Sequence, residues 1–239
     1  MKLSVIIPVY NEAATILESI RGVEGVSLPY SATKEIIIVD DGSSDATPEL
    51  LKSFKGKYEV ITHEKNRGKG RAIRTALSHA TGDYIVTHDG DLENDPNDLA
   101  RMLTVMVEGN HTALYGSRRL GHHRTEGTRL SFYAGGVLLS FVASVLYGQN
   151  ITDEPTCYKM FRGEFLKSLP LSCERFEYCP EVTALTALRG ITIAEVPISY
   201  RPRDIAHGKK IRWYDGLEAL KTLLKYRFKS DAAGRKPNV

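Results

Sequence analysis

Thr87-His88-Asp89-Gly90-Asp91-Leu92-Glu93-Asn94-Asp95-Pro96 follows the apolar run Tyr84-Ile85-Val86. Four residues of high β propensity that end in Asp-Gly-Asp predict a buried strand delivering two carboxylates to its carboxyl edge. Hard oxygen ligands at such an edge suit Mg²⁺ or Mn²⁺. A cation held by one or two carboxylates keeps coordination sites free for phosphate oxygens. Asp89 and Asp91 are therefore candidate metal ligands. The plainer reading of the same residues is a solvated acidic turn in which Asn94 or Asp95 caps a helix beginning at Pro96.

The segments before this turn repeat one pattern. Leu3 to Val9 is an apolar, β-branched run. After it, Glu12 to Val23 places Ala14, Ile16, Leu17 and Ile20 on one helical face, with Asn11 as the expected cap. Glu35-Ile36-Ile37-Ile38-Val39 predicts a second buried strand, followed by Asp40-Asp41-Gly42-Ser43-Ser44-Asp45 and a helix carrying Leu50, Leu51 and Phe54. Tyr58 to His63 predicts a third strand. Asn66-Arg67-Gly68-Lys69-Gly70 then forms a loop, and Arg71 to Ala80 a helix with Ile73, Ala76 and Leu77 inward. Strands alternating with helices imply an α/β fold, with a mostly parallel central sheet and helices on both faces. Ligands gather at the carboxyl ends of the strands in such sheets.

A dehydrogenase-type dinucleotide fold shares the alternation but needs Gly-x-Gly-x-x-Gly in its first turn. Here that turn is Pro8-Val9-Tyr10-Asn11-Glu12, which excludes it. A nucleotide must be held in another way. Asp40 and Asp41, ending the second strand, can accept hydrogen bonds from a base N–H and from ribose hydroxyls. The competing role for them is local, at the start of the helix after Ser44 and Asp45.

Four segments in order, Ser4-Val5-Ile6-Ile7-Pro8-Val9-Tyr10-Asn11-Glu12, Val39-Asp40-Asp41-Gly42-Ser43, Asn66-Arg67-Gly68-Lys69-Gly70 and Asp89-Gly90-Asp91, resemble the family 2 glycosyltransferases of the GT-A fold. The family's usual Asp-Ala-Asp appears here as Asp-Gly-Asp, which keeps both carboxylates. The resemblance implies that Pro8, Tyr10 and Glu12 line a nucleotide-sugar pocket with Lys69, that Asp41 meets the base, and that Asp89 and Asp91 serve the metal and diphosphate. In the second half, Tyr115-Gly116-Ser117-Arg118, Asp153 to Arg162, Pro180-Glu181 and Glu195 to Tyr200 are similar to one branch of that family. So are Arg203, Gly208, Lys209 and Lys210. The branch contains dolichol-phosphate mannose synthase and related polyprenyl-phosphate glycosyltransferases. It implies a donor such as GDP-mannose or a UDP-hexose, a polyprenyl phosphate acceptor, and single displacement with inversion. It often has glutamine where this chain has Glu93, which would add a third carboxylate to the metal site.

The chemistry asks for cations. A leaving nucleoside diphosphate gains negative charge, so a metal with Lys or Arg beside it lowers the barrier. Lys209 and Lys210, next to Gly208, are candidates to close over the diphosphate; as an alternative they form a solvated basic loop. An anionic phosphate acceptor needs cations to hold it rather than a strong base. Arg118, Arg129 and Arg203 are the side chains expected there, because guanidinium groups bind phosphate bidentately. Transfer to a glycan or protein hydroxyl would instead require a carboxylate base, for which Asp153, Glu154 and Glu181 are the candidates; Glu181 is also placed at the acceptor. A nucleotide-sugar binding module without catalysis is the third reading.

Composition narrows the partners. The chain has 239 residues, read as one domain over 1–228, and a net charge of +3, too small to argue for nucleic acid. Three cysteines without metal-ligand spacing point to reduced thiols and a cytoplasmic protein. The start of the chain does not read as a signal peptide. No uninterrupted apolar stretch reaches the roughly 18 residues of a membrane span, so no segment is expected to cross a bilayer. Residues 130–147, apolar nearly all round but broken by two glycines and three serines, are expected to lie in a membrane interface at the cytoplasmic face. Basic residues at 118–129 would then sit among the headgroups. A buried helix or helix pair packing on the sheet, or the face of a homo-oligomer, would give the same pattern. Residues 229–239 form a polar, basic tail expected to be disordered.

Overall fold

In the computed structural model, residues 1–120, 130–203, 210 and 212–228 are described. The alternation read from the sequence is present. Strand β1 (Lys2–Val9) leads to helix α1 (Ile16–Gly25), β2 (Thr33–Asp40) to α2 (Thr47–Leu51), β3 (Glu59–Thr62) to α3 (Lys69–Leu77), and β4 (Tyr84–Thr87) to α4 (Asp98–Glu108). Then follow β5 (Ala113–Ser117), α5 (Leu130–Tyr147), β6 (Lys159–Arg162), α6 (Gly163–Ser168), α7 (Tyr178–Leu188), β7 (Ile193–Pro197) and α8 (Trp213–Phe228).

The seven strands form one sheet in the order β3-β2-β1-β4-β6-β5-β7. All neighbours pair in parallel except β6, which runs antiparallel to both β4 and β5. Side chains alternate across the strands and fill two cores. Val5, Ile7 and Val9 of β1 with Ile36 and Ile38 of β2 pack under α1, α2 and α4. Ile6, Ile37 and Val39 point the other way, to a core closed by α3, α5, α7 and α8. The sheet is thus covered on both faces, and the ends of β1, β2, β4, β5 and β7 open on one edge.

Two local expectations are corrected. The helix after β1 starts at Ile16 rather than Glu12, and Asn11 does not cap it. Asn11 sits at φ 49°, a left-handed conformation that asparagine tolerates. Its Oδ1 accepts a hydrogen bond from the Ser44 backbone N–H at 2.8 Å, so it ties the β1–α1 loop to the β2–α2 loop. Of the single helix and the helix pair left open for residues 130–147, the single continuous helix is the one present. Only Gly136, Ser140 and Ala143 of it are buried, a stripe of small residues at helical spacing. Among the described residues α5 is the one helix long and apolar enough, by length and composition, to cross a membrane, even though small residues interrupt its apolar run. The tail at 229–239 lies outside the described residues.

Candidate active site

The acidic turn after β4 meets cations from distant parts of the chain. Lys69 Nζ, at the start of α3, stands 2.6 Å from Asp89 Oδ1 and 2.8 Å from Oδ2. Burial alone would raise the Asp89 carboxyl, but Lys69 holds it below the usual carboxylate range. Beneath it, the buried His88 ring lies 3.1 Å from Ser19 Oγ and 2.8 Å from the Tyr158 hydroxyl, which fixes the direction of the turn. Burial pushes His88 down to about 4, so it stays neutral.

Asp91 lies 2.8 Å from Arg203 Nη2. The same guanidinium reaches Glu12, with Nη1 donating to Oε2 at 3.0 Å and Nη2 to Oε1 at 3.2 Å. Glu93 accepts from the Arg203 backbone N–H at 2.9 Å and from the Tyr200 hydroxyl at 2.7 Å. Lys210 Nζ adds a second cation, 2.6 Å from Glu12 Oε1, and donates to the Tyr10 carbonyl. Burial, together with Asp89 and Glu93 nearby, still pushes Asp91 up to about 6. Negative charge therefore exceeds what Arg203 offsets at Asp91. Among the described residues no three His, Cys, Asp or Glu side chains form a preformed cage. Asp89 and Asp91 are the two carboxylates here that could share a hard cation with phosphate oxygens.

Asp41 is consumed by its own surroundings. Its Oδ1 is 2.7 Å from His63 Nδ1, and its carboxylate accepts from the backbone N–H groups of Arg67 and Gly68, the latter at 2.7 Å. It thereby holds the loop that precedes α3. Gly68 in that loop has φ 100°, and a Cβ there would stand 2.4 Å from the Glu174 carbonyl oxygen, so only glycine fits. Asp40 is fully buried and accepts from the Ser43 N–H at 3.0 Å. It is not among the residues that line the cleft, whereas Pro8, Tyr10, Glu12, Asp41 and Lys69 are.

Arg118, the residue after β5, makes a bidentate pair with the fully buried Asp153, Nε to Oδ2 at 2.7 Å and Nη2 to Oδ1 at 2.8 Å. Its guanidinium lies 4.9 Å from the centre of the Tyr200 ring. Arg119, one of the basic residues expected among the headgroups, donates instead to Ser140 Oγ at 2.9 Å and to the Thr152 carbonyl at 2.6 Å, tying β5 to α5. Glu181 does not join the site, and its expected acceptor role is corrected. Fully buried in α7, it accepts from the Ser172 and Cys173 backbone N–H groups, Ser172 Oγ and the Tyr226 hydroxyl. Arg129 and Lys209 lie outside the described residues. Arg203, expected beside Arg118 at the acceptor, sits instead among the carboxylates.

A cleft of about 1130 Å³ joins these parts. It runs from Pro8, Tyr10 and Asp41 past Asp89, Asp91 and Arg203 to Arg118, and on to Phe132, Leu138 and Leu139 of α5 and Leu217 and Leu220 of α8. Charged groups of the strand-end loops and apolar side chains of α5 and α8 share this one lining. Leu130, Phe141 and Val145 of α5 and Trp213 and Phe228 of α8 are exposed, and Trp213 also lines the cleft.

The model of "Glycosyl transferase family 2" matches residues 4–169. The UDP-N-acetylglucosamine–dolichyl-phosphate N-acetylglucosaminyltransferase of Methanococcus voltae is 29% identical over 228 residues, 86% of this chain and 89% of that protein. The undecaprenyl-phosphate 4-deoxy-4-formamido-L-arabinose transferase of Salmonella choleraesuis is 28% identical over 214 residues; the match covers 87% of this chain but 62% of that protein. Among solved structures, glucosyl-3-phosphoglycerate synthase from Mycobacterium tuberculosis, in complex with Mn²⁺, UDP and phosphoglyceric acid, superposes with a TM-score of 0.72. It is 20% identical, over 97% of this chain and 80% of that one, a likeness of fold.

Proposed function

The chain belongs to glycosyl transferase family 2 and has the GT-A fold, and from that premise we propose that it transfers a hexose from a nucleoside-diphosphate sugar to the phosphate of a polyprenyl lipid. The observation that carries this reading is the continuity of one cleft, from the carboxylate and cation centre at Asp89 and Asp91 to the apolar walls of α5 and α8. A donor with a diphosphate suits the first and an isoprenoid the second. The curated relatives named above, whose acceptors are dolichyl and undecaprenyl phosphate, support the same reading.

In this mechanism Asp41 keeps the loop before α3 in shape beside the nucleoside, while Tyr10 and Pro8 flank it. Asp89 and Asp91, with Glu93, would hold Mg²⁺ or Mn²⁺, which supplies positive charge to the leaving diphosphate when bound. Lys69, Arg203 and Lys210 add charge from the protein, where it develops in the transition state. The acceptor phosphate needs no general base, because its oxygen is anionic near neutral pH. Arg118 orients it, and attack from the face opposite the diphosphate inverts the anomeric carbon. Two of the three carboxylates that a hydroxyl acceptor would call on are occupied, Asp153 by Arg118 and Glu181 by four hydrogen-bond donors.

Mannose or glucose from GDP-mannose or a UDP-hexose is the donor class we propose, with action at the cytoplasmic face of a membrane. The test is incubation with labelled UDP- and GDP-sugars, Mg²⁺ or Mn²⁺, and undecaprenyl or dolichyl phosphate, followed by organic extraction. The expected product is a lipid-phosphate sugar. A protein that binds the nucleotide but labels no lipid phosphate under any of these conditions would exclude the proposal.

A further inference from the structure

We infer that Glu154 is a specificity-determining residue, whose Oε2 accepts a hydrogen bond from a hydroxyl of the transferred sugar. The inference rests on the reading of the chain as a nucleotide-sugar transferase. It starts from the position of residues 153–157. At one end of this segment Asp153 grips Arg118. At the other, the Cys157 carbonyl accepts from Thr87 Oγ1 at 2.5 Å, two residues before Asp89. Glu154, Pro155 and Cys157 all line the cleft. Glu154 thus belongs to the stretch between the diphosphate end and the acceptor arginine, which is where the sugar must sit during transfer.

The carboxylates of the cleft then separate into two kinds. Asp89 is met by Lys69, Asp91 by Arg203, Glu12 by Arg203 and Lys210, Glu93 by Tyr200, and Asp41 by two backbone N–H groups and His63. Glu154 differs. It is fully buried, and its Oε2 has no hydrogen-bond partner among the described residues.

The rest of Glu154 is held firmly. Oε1 accepts from Thr183 Oγ1 at 3.3 Å, the backbone carbonyl accepts from Lys159 Nζ at 2.6 Å, and the backbone N–H donates to Ser140 Oγ at 2.9 Å. Lys159 Nζ also lies 3.9 Å from Glu154 Oε1 and 3.5 Å from the centre of the Tyr115 ring, so it balances the charge without reaching Oε2. A buried carboxylate oxygen without a partner is costly, and such an oxygen at a cleft calls for a ligand. A phosphate would be repelled. A hard cation would require further carboxylates, which are engaged elsewhere. An uncharged O–H donor meets the charge, from the cleft that Glu154 lines.

The experiment uses UDP-glucose, UDP-N-acetylglucosamine and GDP-mannose, with the mono-deoxy analogues of each sugar, undecaprenyl phosphate and Mn²⁺. Wild type is compared with Glu154→Gln, Glu154→Ala and the double variant Glu154→Gln/Lys159→Met, which removes both buried charges in case the single change leaves Lys159 unpaired and unfolds the protein. Binding of UDP or GDP alone serves as the folding control. For the productive donor, KM is expected to rise about tenfold in the variants while affinity for the free nucleoside diphosphate stays unchanged. One deoxy analogue should cost the wild type the same factor and cost the variants nothing. Equal sensitivity of wild type and variants to every analogue would overturn the inference. So would a loss confined to kcat, which would make Glu154 a general base. A wild type inactive with every nucleotide sugar would instead overturn the functional reading beneath it.

Discussion

Arg203 Nη2 lies 2.8 Å from Asp91 Oδ2, a contact between residues 112 positions apart. The strand that ends at Thr87 delivers the carboxylate, and the segment after β7 returns the arginine to it. The same side chain binds Glu12 from the first loop, so three loops at one sheet edge converge on a single guanidinium. A donor diphosphate arriving here competes with Asp91 and Glu12 for Arg203, and a divalent cation competes with Arg203 for Asp91.

Asp91→Asn is expected to reduce turnover by about two orders of magnitude or more while leaving the fold intact, because an electrostatic group aimed at developing charge contributes on that scale. Glu12 and Glu93 remain to hold Arg203 in place. The check is labelled lipid product together with a thermal melt. A folded variant with wild-type turnover would remove Asp91 from the chemistry.

Arg118→Ala is expected to lower stability as well as lipid-phosphate use. Asp153 is fully buried and keeps only Arg119, at 3.5 Å, as a cation once Arg118 is gone; full loss of a buried pair costs about 3–5 kcal/mol, so the change should cost up to that much. The double variant Arg118→Ala/Asp153→Asn should recover most of the melting temperature without recovering transfer. If it recovers both, Arg118 is a structural partner of Asp153 and has no role at the acceptor.

Leu138→Glu with Phe141→Glu is expected to fold normally and to leave anionic liposomes in a flotation assay. The two side chains are 57% and 64% exposed, so charging them buries nothing in the isolated protein, and surface changes of this kind stay within about 0.5 kcal/mol. A folded double variant that still floats with the vesicles would place membrane contact elsewhere.

The β1 to β4 elements were legible because each strand is a short β-branched run and each helix repeats its apolar residues at helical spacing. The Asp-Gly-Asp turn was legible because it follows a buried strand directly. Asn11 misled because its preference for helix caps and its tolerance of a left-handed backbone give the same local signal, and a partner across space, the Ser44 N–H, decided between them. Glu181 misled because a glutamate in a motif carries no mark of burial. Its four donors come from the segment before α7 and from Tyr226 of α8.

What the sequence determined by itself is therefore local: the strands, most of the helices, and the edge at which ligands collect, since these follow from periodicity and from the handedness of strand-helix-strand units. The tertiary structure alone decided the reversal of β6, the capture of Arg203 by Glu12 and Asp91, the pairing of Arg118 with Asp153, and the face of α5 left to solvent. Each depends on which distant surface arrives to meet a group. A helix apolar on every side, like α5, carries no pattern that tells a buried face from an exposed one. Charges separated by many residues find partners only once the sheet has brought its loops to one edge.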